Sequence, residues 1–477
     1  MKILFVASEA LPFASTGGLA DVAGSLPAAV KKAAGRGCTV KVVMPLYAAV
    51  KEKFGAKLKL EAETNVRLAW RSQYCGIYSI KKDGVMYYFI DNEYYFKRES
   101  LYGDFDDGER FAFFGKAVLE LISVLDYYPD VMHANDWQTA PAVIYLKRKF
   151  AHLEAYNKIK VLFTIHNIAY QGKYDFSILG DVFELGEWDR DVVAYDGCIN
   201  LLKGAIVCAD VVSTVSGRYA EEILSEYYAE GLQHILRDNS YKLTGITNGI
   251  DVDYYNPAAD PDIAAPFTAA DLVGKAADKQ ELMNLCGFAP DPKVPIISMV
   301  SRLAAHKGFD LVERVIEEII DTCHVNFVLL GTGEKDFEQF FTDLAARHPG
   351  RVCTLLKYDK ALSKKIYAGS DIFLMPSKSE PCGLSQMIAS RYGTVPVVRE
   401  TGGLYDTIKP YNKYDSTGNG FSFANYNAHE MMEVIKAAIE LYHDEEKWAA
   451  LQQNVMGVDF SWNASAKKYI DIYEKMM

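Results

Sequence analysis

The chain has 477 residues, half of them hydrophobic and 24% charged, and 63 acidic against 51 basic side chains give a net charge of −12. At roughly 100–200 residues per domain, about two to four domains with well-filled cores are expected, and wholesale disorder is excluded. No apolar run approaches the roughly 20 residues a bilayer requires, and the acidic balance argues against a nucleic-acid partner.

Met1–Glu9 is too short an apolar segment for a signal peptide and meets an acid at once, so a cytoplasmic location is expected. The first predicted strand is Ile3–Ser8, followed by Thr39–Pro45, Val85–Asp91, Asp130–Ala134, Lys160–His166 and Val211–Ser216. Between them, Arg110–Leu125 repeats apolar residues at Phe111, Phe114, Val118, Leu119, Ile122 and Leu125, the spacing of a one-sided helix. Short apolar strands alternating with helices indicate an α/β fold with a largely parallel sheet. A turn-rich stretch, Thr247-Asn248-Gly249-Ile250-Asp251 to Tyr255-Asn256-Pro257-Ala258, marks a hinge. The rhythm then restarts. Pro295–Val300, Asn326–Leu330, Val352–Leu356, Ile372–Met375 and Val395–Val398 read as strands, and Phe309–Ile320 and Ser385–Tyr392 as helices. An amphipathic helix, Asn463–Met477, closes the chain after Gly457–Ser461. The domains expected are therefore residues 1–245 and 246–460, with the last segment, 461–477, a helix.

The eight cysteines lie at least ten residues apart, so no CxxC metal or redox motif exists, and buried free thiols in a reducing compartment are expected. Asn463-Ala464-Ser465 matches a glycosylation sequon by chance.

In an open parallel sheet the strand carboxyl ends form the ligand edge, and the distinctive residues gather there. The first strand leads through Ser15-Thr16-Gly17-Gly18-Leu19-Ala20-Asp21. Later strands lead to Asp136-Trp137, to His166-Asn167, to Arg302 with Lys307-Gly308, to Glu380-Pro381-Cys382-Gly383-Leu384 and to Thr401-Gly402-Gly403. Two sheets facing each other by these edges would make one cleft. Gly17 and Gly18 leave room for a ligand against the backbone, and a following helix N-terminus offers N–H groups and partial positive charge. Cys382-Gly383-Leu384 does the same in the second half. Arg302 and Lys307, five residues apart, could both reach a diphosphate, the first as a fork and the second as a point charge. Two basic residues at a helix start are also an ordinary surface feature. A lone histidine such as His166 is more often structural than catalytic, and Asp136-Trp137 alone could be a helix cap with an aromatic plug. Gly331-Thr332-Gly333 is an incomplete dinucleotide fingerprint, because Asp336 holds the last glycine position. GxxxxGK[ST] and GxSxG are absent, and His429-Glu430-Met431-Met432-Glu433 lacks the second histidine of a zinc helix.

Taken together, the motifs resemble those of bacterial glycogen synthases and plant starch synthases, nearly end to end. The carriers are Ser8-Glu9 with Thr16–Val22, Leu101-Tyr102-Gly103 with Asp107 and Arg110-Phe111, His133-Ala134-Asn135-Asp136-Trp137, and Thr164–Gly172. They continue through Ile246–Asp251, Ser301-Arg302-Leu303 with Lys307-Gly308, Pro376-Ser377 with Glu380–Leu384, Tyr392–Pro396 and Thr401–Leu404.

The resemblance implies the GT-B glycosyltransferase fold, two Rossmann-like domains facing a deep cleft, with the C-terminal helix packing back on the first. It implies a retaining hexosyltransferase of glycogen or starch biosynthesis. Such an enzyme moves glucose from ADP-glucose to the non-reducing 4-OH of an α-1,4-glucan, with no metal or cofactor. By position, Arg302 and Lys307 would hold the diphosphate, Glu380 would sit beside the donor glucose, and His166 and Asp136 would line its other side. Tyr358 would stack on the base. Ser15, Gly17, Gly18, Asp21, Asn248, Cys382, Gly383, Leu384 and Thr401 complete the expected donor site. The leaving group is a diphosphate, so cations and helix N–H groups can stabilise its developing charge, and a carboxylate can support an oxocarbenium-like sugar. In the family resembled, no side chain is established as a covalent nucleophile, so the resemblance assigns Glu380 to positioning and electrostatics.

Two positions depart from the family pattern. Ser15 stands where the usual Lys-Thr-Gly-Gly-Leu loop has lysine, which puts donor affinity and nucleotide preference in question. Ile388 stands where many related retaining transferases carry a second glutamate, a feature this family often lacks. The rival readings are a same-fold transferase or epimerase using another nucleotide sugar such as UDP-glucose, and a non-catalytic glucan-binding protein. The retained Arg302, Lys307, Glu380, His166 and Asp136 count against the last.

Overall fold

Strand β1 (Lys2–Val6) is buried beyond its first residue, as a strand covered on both faces must be, and it lies at the centre of its sheet. The computed structural model describes residues 1–477, which divide into two compact units, Met1–Gly249 with Trp462–Met477 and Ile250–Ser461.

In the first unit β1 is followed by β2 (Thr39–Pro45), β3 (Lys59–Leu68), β4 (Arg71–Lys82), β5 (Val85–Asp91), β6 (Val131–Asn135) and β7 (Lys160–Ile165). A small antiparallel sheet of β8 (Lys173–Tyr174), β9 (Ala194–Tyr195) and β10 (Cys198–Asn200) precedes β11 (Val211–Thr214) and β12 (Leu243–Gly245). The main sheet runs β12-β11-β7-β6-β1-β2-β5-β4-β3. It is parallel from β12 to β5, and β4 and β3 extend it as an antiparallel hairpin. The hairpin departs from the sequence-based reading. In β3 only Val66 and Leu68 are buried, so charged residues dominate it and hide the strand signal.

The order places successive strands first to one side of β1 and then to the other. The reversal falls between β1 and β6, and a ligand belongs at such a switch point, outside the strand carboxyl ends. Helix Gly18–Ala34 leaves the β1 loop there. Helix Asp107–Val124 corrects the expectation of a one-sided helix, because it is buried on nearly every face. Its polar residues are paired internally. Arg110, fully buried, donates to the Tyr95 carbonyl at 2.7 Å and pairs with Asp104 at 2.9 Å, and Lys116 pairs with Glu184 at 2.7 Å. The final helix, Trp462–Met476, packs along Gly18–Ala34 and seals this unit. Its buried Tyr473 hydroxyl meets Nδ1 of His133 on β6 at 2.7 Å, and the Ser465 hydroxyl donates to the Thr247 carbonyl at 2.6 Å.

The second unit is built on β13 (Ile296–Val300), β14 (Asn326–Leu330), β15 (Val352–Leu355), β16 (Ile372–Met375), β17 (Val395–Arg399) and β18 (Phe421–Phe423). All are parallel, in the order β15-β14-β13-β16-β17-β18, so the switch point lies between β13 and β16. Helix Phe309–Cys323 buries Phe309, Val312, Val315, Ile316, Ile319 and Ile320, the i, i+3, i+4 stripe expected of a helix lying on a sheet. All eight cysteines are free thiols. No helix is long and apolar enough to cross a membrane.

Candidate active site

In the first unit the loop after β1 is fixed at its base. The Tyr47 hydroxyl donates to the Ser8 carbonyl at 2.8 Å, and the Ser8 and Tyr102 hydroxyls meet at 2.7 Å. Glu9 Oε2 then accepts the Thr16 N–H at 2.5 Å and the Thr16 hydroxyl at 2.9 Å, folding the loop back so that Gly17 caps helix Gly18–Ala34. Burial pushes the Glu9 carboxyl up to about 7. Gly17 has an extended φ of −167°, and a Cβ at either Gly17 or Gly18 would meet nothing within 4 Å. Neither glycine is required by chain geometry or packing; what the pair provides is bare backbone at an exposed helix N-terminus. Ser15 is exposed beside them, and Asp21 lies in the first helical turn.

Across the switch point, β6 ends in Asn135-Asp136. Asp136 takes a left-handed φ of 57°, and its side chain makes no helix-cap bond. That corrects the helix-cap alternative. Its Oδ1 instead accepts the His166 backbone N–H at 2.7 Å, tying the end of β6 to the end of β7. Burial raises the Asp136 carboxyl to about 7, against the opposing pull of the His166 and Asn167 N–H groups. His166 is buried, its Nε2 lies 2.9 Å from Asn135 Oδ1, and burial lowers its imidazole to about 3. The ring is therefore neutral at physiological pH. Asn248, near the end of this unit's first segment, is buried, and its Oδ1 has no hydrogen-bond partner.

In the second unit three loops stack. Gly308, after β13, has φ +80°, and a Cβ there would lie 2.2 Å from the Pro376 carbonyl oxygen, so only glycine lets the β13 loop lie against the loop after β16. The Lys378 N–H adds a tie to the His306 carbonyl at 2.9 Å. Gly402, after β17, has φ +44°, and its Cβ would fall 1.9 Å from the Glu380 carbonyl oxygen. The next N–H, of Gly403, donates to that carbonyl at 3.1 Å.

Clamped between its neighbours, the β16 loop presents Glu380 to Lys307, with Nζ to Oε2 at 2.7 Å, and the Ser377 hydroxyl donates to the same oxygen at 3.0 Å. Arg302 is exposed, and no acceptor or acid in the chain engages its guanidinium. From sequence both residues can reach a diphosphate, Arg302 as a fork and Lys307 as a point charge; the structure adds that Arg302 is a free cation and Lys307 a paired one. Cys382 is buried, Gly383 has φ +73°, and Gln386 Nε2 donates to the carbonyls of both at 3.1 and 3.0 Å, which orients the turn into helix Ser385–Arg391 after Leu384. Thr401 is fully buried at the start of helix Gly402–Thr407. Tyr358 stands apart on the loop after β15, 81% exposed and ready to offer a ring face. Glu9, Asn135 and Ser377 received no role from sequence, although all three lie inside the quoted motifs. No group of three or more His, Cys, Asp or Glu side chains is arranged to hold a metal ion.

Residues 2–238 match the model of the starch synthase catalytic domain, and residues 288–455 that of glycosyl transferases group 1. A glycogen synthase of Anoxybacillus flavithermus is 46% identical over 100% of this chain and 98% of its own length. One of Clostridioides difficile is 46% identical over 99% of each. The catalytic domain of starch synthase IV from Arabidopsis thaliana, solved bound to ADP and acarbose, superposes with a TM-score of 0.90 at 34% identity, covering 99% of each chain. With two α/β units, each carrying its chemically distinctive side chains at a switch point, and similarity of this extent, the chain belongs to the glycogen and starch synthase family, glycosyltransferases of the GT-B fold.

Proposed function

We propose that this enzyme transfers glucose from ADP-glucose to the non-reducing 4-OH of an α-1,4-glucan, with retention of the anomeric configuration, in the cytoplasm. The observation that carries the reading is full-length similarity to relatives named glycogen synthase, and the ADP and acarbose of the starch synthase neighbour support the choice of nucleotide and of glucan. In the transfer the C1–O bond to the diphosphate breaks, C1 bonds to the acceptor oxygen, the proton of the acceptor hydroxyl passes to the departing diphosphate, and ADP leaves.

Arg302, exposed and unpaired, meets the diphosphate as a charge-assisted fork. Lys307 bridges the diphosphate and Glu380, so charge developing on the leaving group is met by a cation already oriented by its carboxylate. Glu380 thereby serves the sugar as a fixed negative charge. The bare N–H groups after Gly17 and Gly18 act on phosphate oxygens in the same way. Tyr358 supplies the stacking face for the base, and His166 and Asp136 meet sugar hydroxyls. The remaining expected donor-site residues, Asn248, Cys382, Gly383, Leu384 and Thr401, shape and brace these loops. Nucleotide release from ADP-glucose and from UDP-glucose, each with and without glycogen, tests the reading. Glycogen-dependent release from ADP-glucose is expected; release from UDP-glucose alone would overturn the donor, and release indifferent to glycogen would overturn the acceptor.

A further inference from the structure

Asn135 is fully buried at the end of β6, and its amide can face only one way. Nδ2 lies 3.0 Å from the Val6 carbonyl and 3.2 Å from the His133 carbonyl, both acceptors, so the NH₂ group must point at them. Oδ1 is thereby turned to His166, 2.9 Å from Nε2. An amide oxygen only accepts, so Nε2 must carry the proton. Because burial keeps the imidazole neutral, with its ionisation lowered to about 3, the ring has one N–H, and Nδ1 holds a lone pair. No side chain or backbone group of the protein donates to that nitrogen, while the His166 backbone is itself pinned by Asp136 Oδ1 at 2.7 Å.

We propose that Asn135 is a positioning residue that locks His166 as the Nε2–H tautomer, so that Nδ1 accepts a hydrogen bond from a hydroxyl of the donor sugar. The assignment rests on the function proposed above for its second half only; the tautomer is a property of the protein alone. It gives His166 a definite role. A ring whose one proton is held by Asn135 has none to give the departing diphosphate, and so basic a task as deprotonating an alcohol is beyond a nitrogen that protonates only near pH 3. What is left is orientation: a buried acceptor selects a sugar that presents an O–H to it and leaves a deoxy analogue with that acceptor unmet.

Full-length protein grown with isotope-labelled histidine gives the tautomer directly from long-range proton–nitrogen correlations, with the His166 signal identified by its loss in His166→Gln. We expect an Nε2–H pattern in the unaltered protein, unchanged between about pH 5 and 8. An Nδ1–H pattern, or an even mixture, overturns the proposal whether or not transfer occurs, so this result is separable from failure of the proposed function. In Asn135→Leu the pattern should become mixed, and kcat/KM for ADP-glucose with glycogen should fall about tenfold, the scale of one misplaced hydrogen bond. In a His166→Ala background the same Asn135→Leu change should cost nothing further. An equal loss in both backgrounds would show that Asn135 acts independently of His166 and would overturn the proposal. If Asn135→Leu does not fold, the spectrum of the unaltered protein still decides the tautomer.

Discussion

Arg302 and Lys307 share an assigned role but not a structural one, and replacing each should separate catalysis from stability. Arg302 is exposed and engages no acid, so Arg302→Ala removes nothing the fold uses, and the stability change should lie within about 0.5 kcal/mol. Lys307→Met strands Glu380, whose side chain is 8% exposed, with the Ser377 hydroxyl at 3.0 Å as its remaining partner. Breaking a fully buried ion pair from one side costs about 3–5 kcal/mol; the Lys307 side chain is itself 17% exposed, so water relieves part of this, and about 2–3 kcal/mol is expected. Both variants should lose at least about 10²-fold in turnover, the usual scale for one transition-state electrostatic contact. Urea unfolding midpoints give the first quantity, and ADP release from saturating ADP-glucose with glycogen gives the second. Near-normal turnover in both variants refutes the diphosphate roles. An Arg302→Ala protein as destabilised as Lys307→Met refutes the distinction between a free and a paired cation.

Glu9 holds its proton to about pH 7 in the folded chain and to about 4.5 when unfolded, so its contribution to stability is full below about pH 4.5 and is lost as pH rises through 7. Glu9→Gln removes that dependence, and between about pH 5 and 8 its stability relative to the unaltered protein should rise by about 2.5 kcal/mol; a constant difference in urea titrations across that range counts against a buried, proton-holding Glu9. If cations and helix N–H groups serve the diphosphate as proposed, activity should persist in excess EDTA, and a strict Mg²⁺ requirement measured by ADP release would contradict this. Ser15→Lys should tighten donor binding by about one to two decades through a new charge-assisted contact, while Ser15→Ala changes little; loss of turnover in Ser15→Ala would give the hydroxyl a specific role. Tyr473→Phe leaves Nδ1 of the buried His133 without its 2.7 Å partner and should cost about 1–3 kcal/mol of stability by urea titration, with no cost expected if the final helix is held by apolar packing alone.

The strands legible in the sequence are those buried on both faces. Thr39–Pro45, Val85–Asp91, Asn326–Leu330 and Ile372–Met375 have the same bounds in sequence and structure, because inner strands of a sheet are mostly apolar runs. The hairpin of β3 and β4 was missed for the converse reason: on the sheet edge one face meets water, and Lys59, Glu61, Glu63 and Arg67 read as a solvated segment. The apolar repeat of helix Asp107–Val124 reads as one-sided, but the helix is buried on nearly every face because Asp104 and Glu184 neutralise Arg110 and Lys116. Periodicity reports polarity, and polarity equals exposure only when charges are unpaired.

The candidate site residues are legible one at a time, as odd residues after strand ends, but their pairings are not. Lys307 and Glu380 lie 73 positions apart, and what brings them to 2.7 Å is that β13 and β16 are neighbours at the point where strand order reverses. The same rule applies to Asn135 and His166, 31 positions apart at the ends of the adjacent strands β6 and β7. Once strand order is known, the loops that must touch follow from it, and the glycines then show how closely. Gly308 and Gly402 exist for contact between loops, each facing a carbonyl where a Cβ would not fit, whereas Gly17 and Gly18 face nothing. In this chain a glycine pressed against backbone marks a brace, whereas the Gly17-Gly18 pair faces open space at a helix N-terminus and leaves its N–H groups bare, the arrangement that the proposed phosphate contact requires.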